Sequence, residues 1–108
     1  MSGTQERTAA EVMGWEQRFF PGSEYAYTWV DPDGQAHPRV EPDDMLAWML
    51  ERGAVSVLAY RPGEIHVDAI LRGEREGRRF QAPTLYAALE QAVIAVGRAG
   101  IEPATEAL

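Results

Sequence analysis

Apolar side chains recur along this chain in two rhythms. From Leu85 to Val96 they fall at Leu85, Ala88, Leu89, Ala92, Val93 and Val96, the i, i+3, i+4, i+7, i+8, i+11 spacing of one helix face. Pro83 and Thr84 just before this stripe start a helix, and Gly97 and Gly100 lead out of it. A second helix is predicted from Pro42. Met45, Trp48, Met49 and Arg52 lie on one side with Leu46 and Leu50 alongside, Asp43 and Asp44 complement the positive end of the dipole, and Gly53 closes the element. A third, shorter helix is expected to run to about Met13, capped by Ser2 or Thr4, with Ala9, Val12 and Met13 as its stripe and Gly14 as its stop.

The other rhythm has period two. Ile65, Val67, Ala69 and Leu71 alternate with Glu64, His66, Asp68 and Arg72, as in a half-buried antiparallel strand. Ala54 to Tyr60 reads as its hairpin partner across Arg61-Pro62-Gly63, and a last strand, about Arg78 to Gln81, follows the polar turn Gly73 to Gly77. Nearer the start, Trp15 to Phe20 and Tyr25 to Val30 are aromatic and β-prone on either side of the turn Pro21-Gly22-Ser23-Glu24. Asp31-Pro32-Asp33-Gly34 then breaks the strand and opens a loop to about Val40. The order is α-β-β-α-β-β-β-α, which predicts an α+β fold: an antiparallel sheet packed with helices in a layered sandwich. Residues 1–108 make a single domain, with 1–4 and 101–108 expected to fray.

Two aromatic-anchored segments, EVMGW at Glu11 to Trp15 and TWVDPDG at Thr28 to Gly34, are followed by Pro38-Arg39, the Trp48 helix and the closing APTLYAALEQAVIAV run from Ala82 to Val96. Over about Ala10 to Val96 this pattern resembles the phage ABA sandwich domain family, small proteins of phage and prophage genomes. The resemblance implies a layered sandwich and a place in the host-cell cytoplasm. It brings no catalytic or ligand residues with it.

The net charge of −7 opposes binding to a phosphate backbone, which takes a basic stripe, and so argues against nucleic acid as a partner. It suits solubility or association with a basic protein surface. All ten basic residues are Arg, and Lys, Asn and Cys are absent, a bias that fits a GC-rich genome. With no Cys there is no disulfide, thiolate metal site or cysteine nucleophile. No apolar run approaches the roughly 20 residues of a membrane span, and Met1 to Ala10 lacks the features of a signal peptide, so a cytoplasmic protein with no membrane partner is expected.

Candidate chemistry is sparse. Asp31-Pro-Asp33-Gly34 begins like a calcium loop, but Ala36 replaces the turn glycine and Pro42 stands where the bidentate glutamate belongs, so a structural turn is the better reading. His66 and Asp68 share a strand face, yet His37 is the only other imidazole and lies in a loop. No nucleophile elbow, phosphate-binding loop or dinucleotide fingerprint is present; no catalytic residue, metal or cofactor is assigned. Arg72, Arg75, Arg78 and Arg79 form the one basic cluster, able in principle to clamp an anion through guanidinium forks. Trp15, Trp29 and Trp48 are expected in the core, although Tyr25, Tyr27 and Trp29, if they shared an exposed strand face, would make an aromatic patch.

These readings favour a non-enzymatic phage or prophage accessory protein that binds a host or phage protein. Tyr25, Tyr27 and Trp29 would supply the anchors, with Asp31 and Asp33 of the acidic loop beside them. Two alternatives stand beside it. One is a binder of an anionic nucleotide on the Arg72–Arg79 hairpin, and the other is a structural homo-oligomer formed through a sheet edge or helix face.

Overall fold

The computed structural model describes residues 8–106 except Ser23 and Tyr25, with side chains described as far as Arg98. The first described helix, α1, covers residues 8–12. It ends in paired bonds from Gly14 N–H to the Glu11 carbonyl at 3.0 Å and from Trp15 N–H to the Ala10 carbonyl at 2.9 Å, with Gly14 at φ +84°. This is a Schellman ending, which needs a left-handed residue that glycine adopts without strain, so the expected stop is in place. The proposed caps Ser2 and Thr4 lie outside the described residues.

Strands β1 (Glu16–Phe19), β2 (Tyr27–Val30) and β3 (Ala36–His37) form one antiparallel sheet in the order β1-β2-β3. β3 falls inside the stretch expected to be a loop, and its two residues are too few to show any alternation. Helix α2 (Pro42–Leu50) follows, with the Asp44 carboxylate accepting from the Glu41 N–H at 2.9 Å. Its end differs from expectation. The helix closes on Glu51, whose N–H reaches the Ala47 carbonyl, and Gly53 instead begins β4 (Gly53–Arg61). A side chain on Gly53 would run into the backbone of Ile70 and Leu71, so its glycine serves a close strand approach.

A second antiparallel sheet, β4-β5-β6, is completed by β5 (Glu64–Leu71) and β6 (Arg78–Ala82). The register pairs Val55 with Ala69, Val57 with Val67 and Val67 with Phe80, placing these side chains on one face. Helix α3 (Leu85–Glu106) packs on that face together with α2. The Thr84 hydroxyl accepts from the Ala87 N–H at 3.1 Å, and Ala88, Leu89, Ala92, Val93 and Val96 are all buried, as their spacing predicts. α3 runs through Gly97, Gly100 and Pro103 where the sequence suggested an exit. Gly97 has its own reason to be there: a Cβ at this position would collide with Val12 of α1.

The architecture is thus α+β, with the expected element order plus β3 and with two three-stranded sheets. One buried cluster joins Trp15 and Trp29 to Met45 and Met49 of α2, Val67 of β5 and Leu89 and Val93 of α3. The molecule measures 49 × 43 × 22 Å, a slab. On the face of the β4-β5-β6 sheet opposite the helices, Leu58, Tyr60 and Ile70 remain 44%, 55% and 48% exposed.

Candidate functional site

The β1–β2 hairpin carries the proposed aromatic anchors Tyr27 and Trp29, and the structure separates them. β2 starts outside the core at Tyr27 and runs into it. Trp29, near the base, is buried at 7% exposure, whereas Tyr27 on the same strand face is 61% exposed. Trp29 is therefore a core anchor, and the expectation of a shared exposed face does not hold for it. Tyr25 lies outside the described residues. One aromatic side chain that the sequence showed only as a strand former joins Tyr27 instead, and a second is exposed on the opposite face. Phe19 is paired with Tyr27 across the hairpin, its ring 5.2 Å away and tilted by 54°, and Phe20 follows, its N–H donating to the Ala26 carbonyl at 2.7 Å. Phe19 and Phe20 are 57% and 40% exposed. Strand alternation could have revealed Phe19 as Tyr27's neighbour had the hairpin register been known.

At the hairpin base the Asp31 turn is tightly tied. Asp31 Oδ1 accepts from the N–H groups of Asp33 and Gln35 at 3.0 and 2.9 Å, and Oδ2 lies 2.8 Å from His37 Nε2. The bond from His37, helped by that from the Gln35 amide, holds the Asp31 carboxyl below its usual range. His37 in turn stacks on Trp15 with ring centroids 4.6 Å apart. Asp31 thus fixes β3 against the end of α1, while Asp33 stands exposed. Between this turn and α2 lies a cleft of about 340 Å³, walled by Trp15 and Trp48 and rimmed by Asp33, Asp44 and Glu51. Arg52 occupies one side of it, its guanidinium 3.6 Å from the Trp48 ring centre and bonded to the Trp48 carbonyl at 2.8 Å.

The arginine cluster is largely neutralised from within. Arg79 grips Asp68 with two bonds of 2.8 and 3.1 Å, and Arg78 bonds Glu74 at 2.7 Å. The Arg79 bond depresses the Asp68 carboxyl, and the same contact raises the Arg79 guanidinium. The groove at the hairpin turn is lined by Glu74 and Glu76 as well as Arg75 and Arg78, so an anion entering it would meet carboxylates. Arg72 and Arg75 form no side-chain ion pair with any described residue.

His66 and Asp68 do share a sheet face, but each has a different partner. His66 is buried under the Tyr60 ring, 4.3 Å away, with Nε2 3.0 Å from Glu64. Asp68 turns to Arg79. Among the described residues no three His, Asp or Glu side chains gather in a group that could hold a metal ion.

Comparison of the chain with protein-family models, curated proteins and solved structures found no match in any of the three.

Proposed function

We propose that this protein is a non-enzymatic binding domain whose partner is another protein, engaged by the tip of the β1–β2 hairpin. The observation that carries this reading is the aromatic pair Phe19 and Tyr27, in ring contact on a short hairpin and largely open to solvent, with Phe20 exposed next to it on the other face. Aromatic side chains bring large contact area at low entropic cost, and exposed aromatic groups with a polar surround mark interaction surfaces. The acidic rim at the base of the same hairpin adds a preference for a basic partner, since Asp33, Asp44 and Glu51 would complement Arg or Lys and speed the encounter. The resemblance to phage ABA sandwich domains supports a phage or prophage accessory role in the host cytoplasm, with a host or phage protein as the partner. No helix among the described residues is long and apolar enough to cross a membrane.

The anionic-nucleotide alternative draws less support, because Arg78 and Arg79 already hold carboxylates. The test of the leading reading is a double substitution, Phe19→Ser with Tyr27→Ser. The two exposed side chains contribute little to the core, so the variant should fold. Partners captured from host cells by the wild-type protein should bind the variant at least about tenfold more weakly in a titration with purified components, the effect expected of hot-spot aromatics. Equal affinity for both proteins would remove the hairpin tip as the contact surface.

A further inference from the structure

Sheet edges that meet solvent invite pairing, and folded proteins blunt them with short strands, charges or proline. Three of the four edge strands here are blunted. β1 has four residues and carries Glu16 and Arg18, β3 has two residues, and β6 has five and carries Arg78 and Arg79. β4 is different. It is nine residues long, has no proline, and is uncharged from Gly53 to Tyr60. It also exposes apolar side chains on both faces, Val57 at 39% on the helix side and Leu58 and Tyr60 on the other. No described strand pairs with its outer edge.

The ladder fixes which backbone groups that edge presents. The Arg72 N–H bonds the Arg52 carbonyl at 3.0 Å, beside the Gly53–Leu71 pair. Antiparallel pairs alternate between bonded and non-bonded, so Ala54, Ser56 and Leu58 spend their amide groups on β5. Gly53, Val55, Val57 and Ala59 therefore turn N–H and C=O outward. The regular stretch ends at Ala59, because the register shifts between Ala59 and Arg61.

We propose that β4 is the seam of a homodimer, pairing antiparallel with β4 of a second copy about a two-fold axis at Ser56 to make one six-stranded sheet. The axis follows from the strand itself: Ser56 is the middle of the seven regular residues Gly53 to Ala59. Val55 then bonds Val57 of the other copy and Gly53 bonds Ala59, so every outward group in the stretch finds a partner. Charge selects a second copy of this chain as the occupant. The uncharged strand runs between Glu51 and Arg61, which lie outside the regular stretch, so the two-fold places Glu51 of one copy at the same end of the seam as Arg61 of the other, an arginine already bonded to its own Glu64 at 2.7 Å. Arg52, next in line, is held over its own Trp48 and sets no like charge against Arg61. In a chain of net charge −7, this is an edge where two copies can meet without apposed carboxylates.

The experiment uses the full chain and exploits its lack of cysteine. At the axis the two Ser56 residues form a non-bonded pair, with Cα atoms about 4.5 Å apart, a separation a disulfide accepts. Ser56→Cys should convert to a covalent dimer under mild oxidation at low protein concentration. Sedimentation should show a dimer for the wild type and a monomer for Val57→Lys, whose charge would sit in the seam at an already exposed position. A monomeric wild type at high concentration, a dimer that survives Val57→Lys, or Ser56→Cys chains that fail to cross-link would each overturn the proposal. If Val57→Lys fails to fold by circular dichroism, the cross-link decides alone.

Discussion

Gly97 shows how one missing methyl can set the geometry of a fold. In a helix interior glycine costs roughly 1 kcal/mol relative to alanine, so propensity alone would make Gly97→Ala stabilising. The collision of the new Cβ with Val12 points the other way, since overpacking typically costs about 1–3 kcal/mol. Set against each other, the two leave a net destabilisation of up to about 2 kcal/mol, with roughly 4–8 °C lost in melting temperature per kcal/mol for a domain near this size. A double-mutant cycle with Val12→Ala checks the cause: the pair should be less destabilised than the sum of the single changes. Asp31 gives a second residue-scale expectation. Its folded-state carboxyl is held below the ordinary value of 3.8 by His37 and the Gln35 amide, so its contribution is fully present above about pH 4 and drains away as pH falls through the lower folded value. The melting-temperature gap between the wild type and Asp31→Asn should therefore narrow as pH falls below about 4. A gap that stays unchanged to pH 2 would show that the charge on Asp31 does not contribute.

Elements were legible in the sequence wherever periodicity was long enough to overdetermine them. The stripe from Ala88 to Val96 and the alternation from Glu64 to Leu71 appear in the structure where they were expected, and both carry several buried side chains in one register. Gly53 and Gly97 misled for a shared reason. A glycine that ends a helix and one that permits close packing look alike in sequence, and only the positive φ of Gly14 and the crowding at Gly53 and Gly97 tell them apart. The candidate site was read less well, because alternation puts Tyr27 and Trp29 on one face without saying where along the strand the core stops. The paired Phe19 needed the hairpin register. At the N-terminus of α3 the local signal and the structure agree, and the effect is measurable. Thr84→Ala removes the acceptor for the Ala87 N–H and should cost about 1 kcal/mol in chemical denaturation without changing the slope. Thr84→Ser should recover most of it.

At the scale of the whole molecule, charge separates the two kinds of association this surface offers. A basic partner approaching the acidic hairpin base is attracted by a chain of net charge −7, so salt should slow its association and weaken the complex. Two copies meeting along β4 each bring −7 and repel at long range, although the seam itself is uncharged. The Debye length falls from about 30 Å at 0.01 M salt to about 8 Å at 0.15 M, across the range of distances between charges on neighbouring copies of a domain this size. Raising salt through that range should therefore tighten the homodimer several-fold in sedimentation equilibrium while it loosens a complex with a basic partner. The contribution of Glu51 to Arg61 runs against this trend, but a solvent-exposed pair is worth only a fraction of a kcal/mol to about 1 kcal/mol. A homodimer that weakens with salt would mean that local ion pairs outweigh the repulsion of the whole charge. Glu51→Gln should then abolish the salt dependence, whereas under long-range repulsion it should leave the slope nearly unchanged.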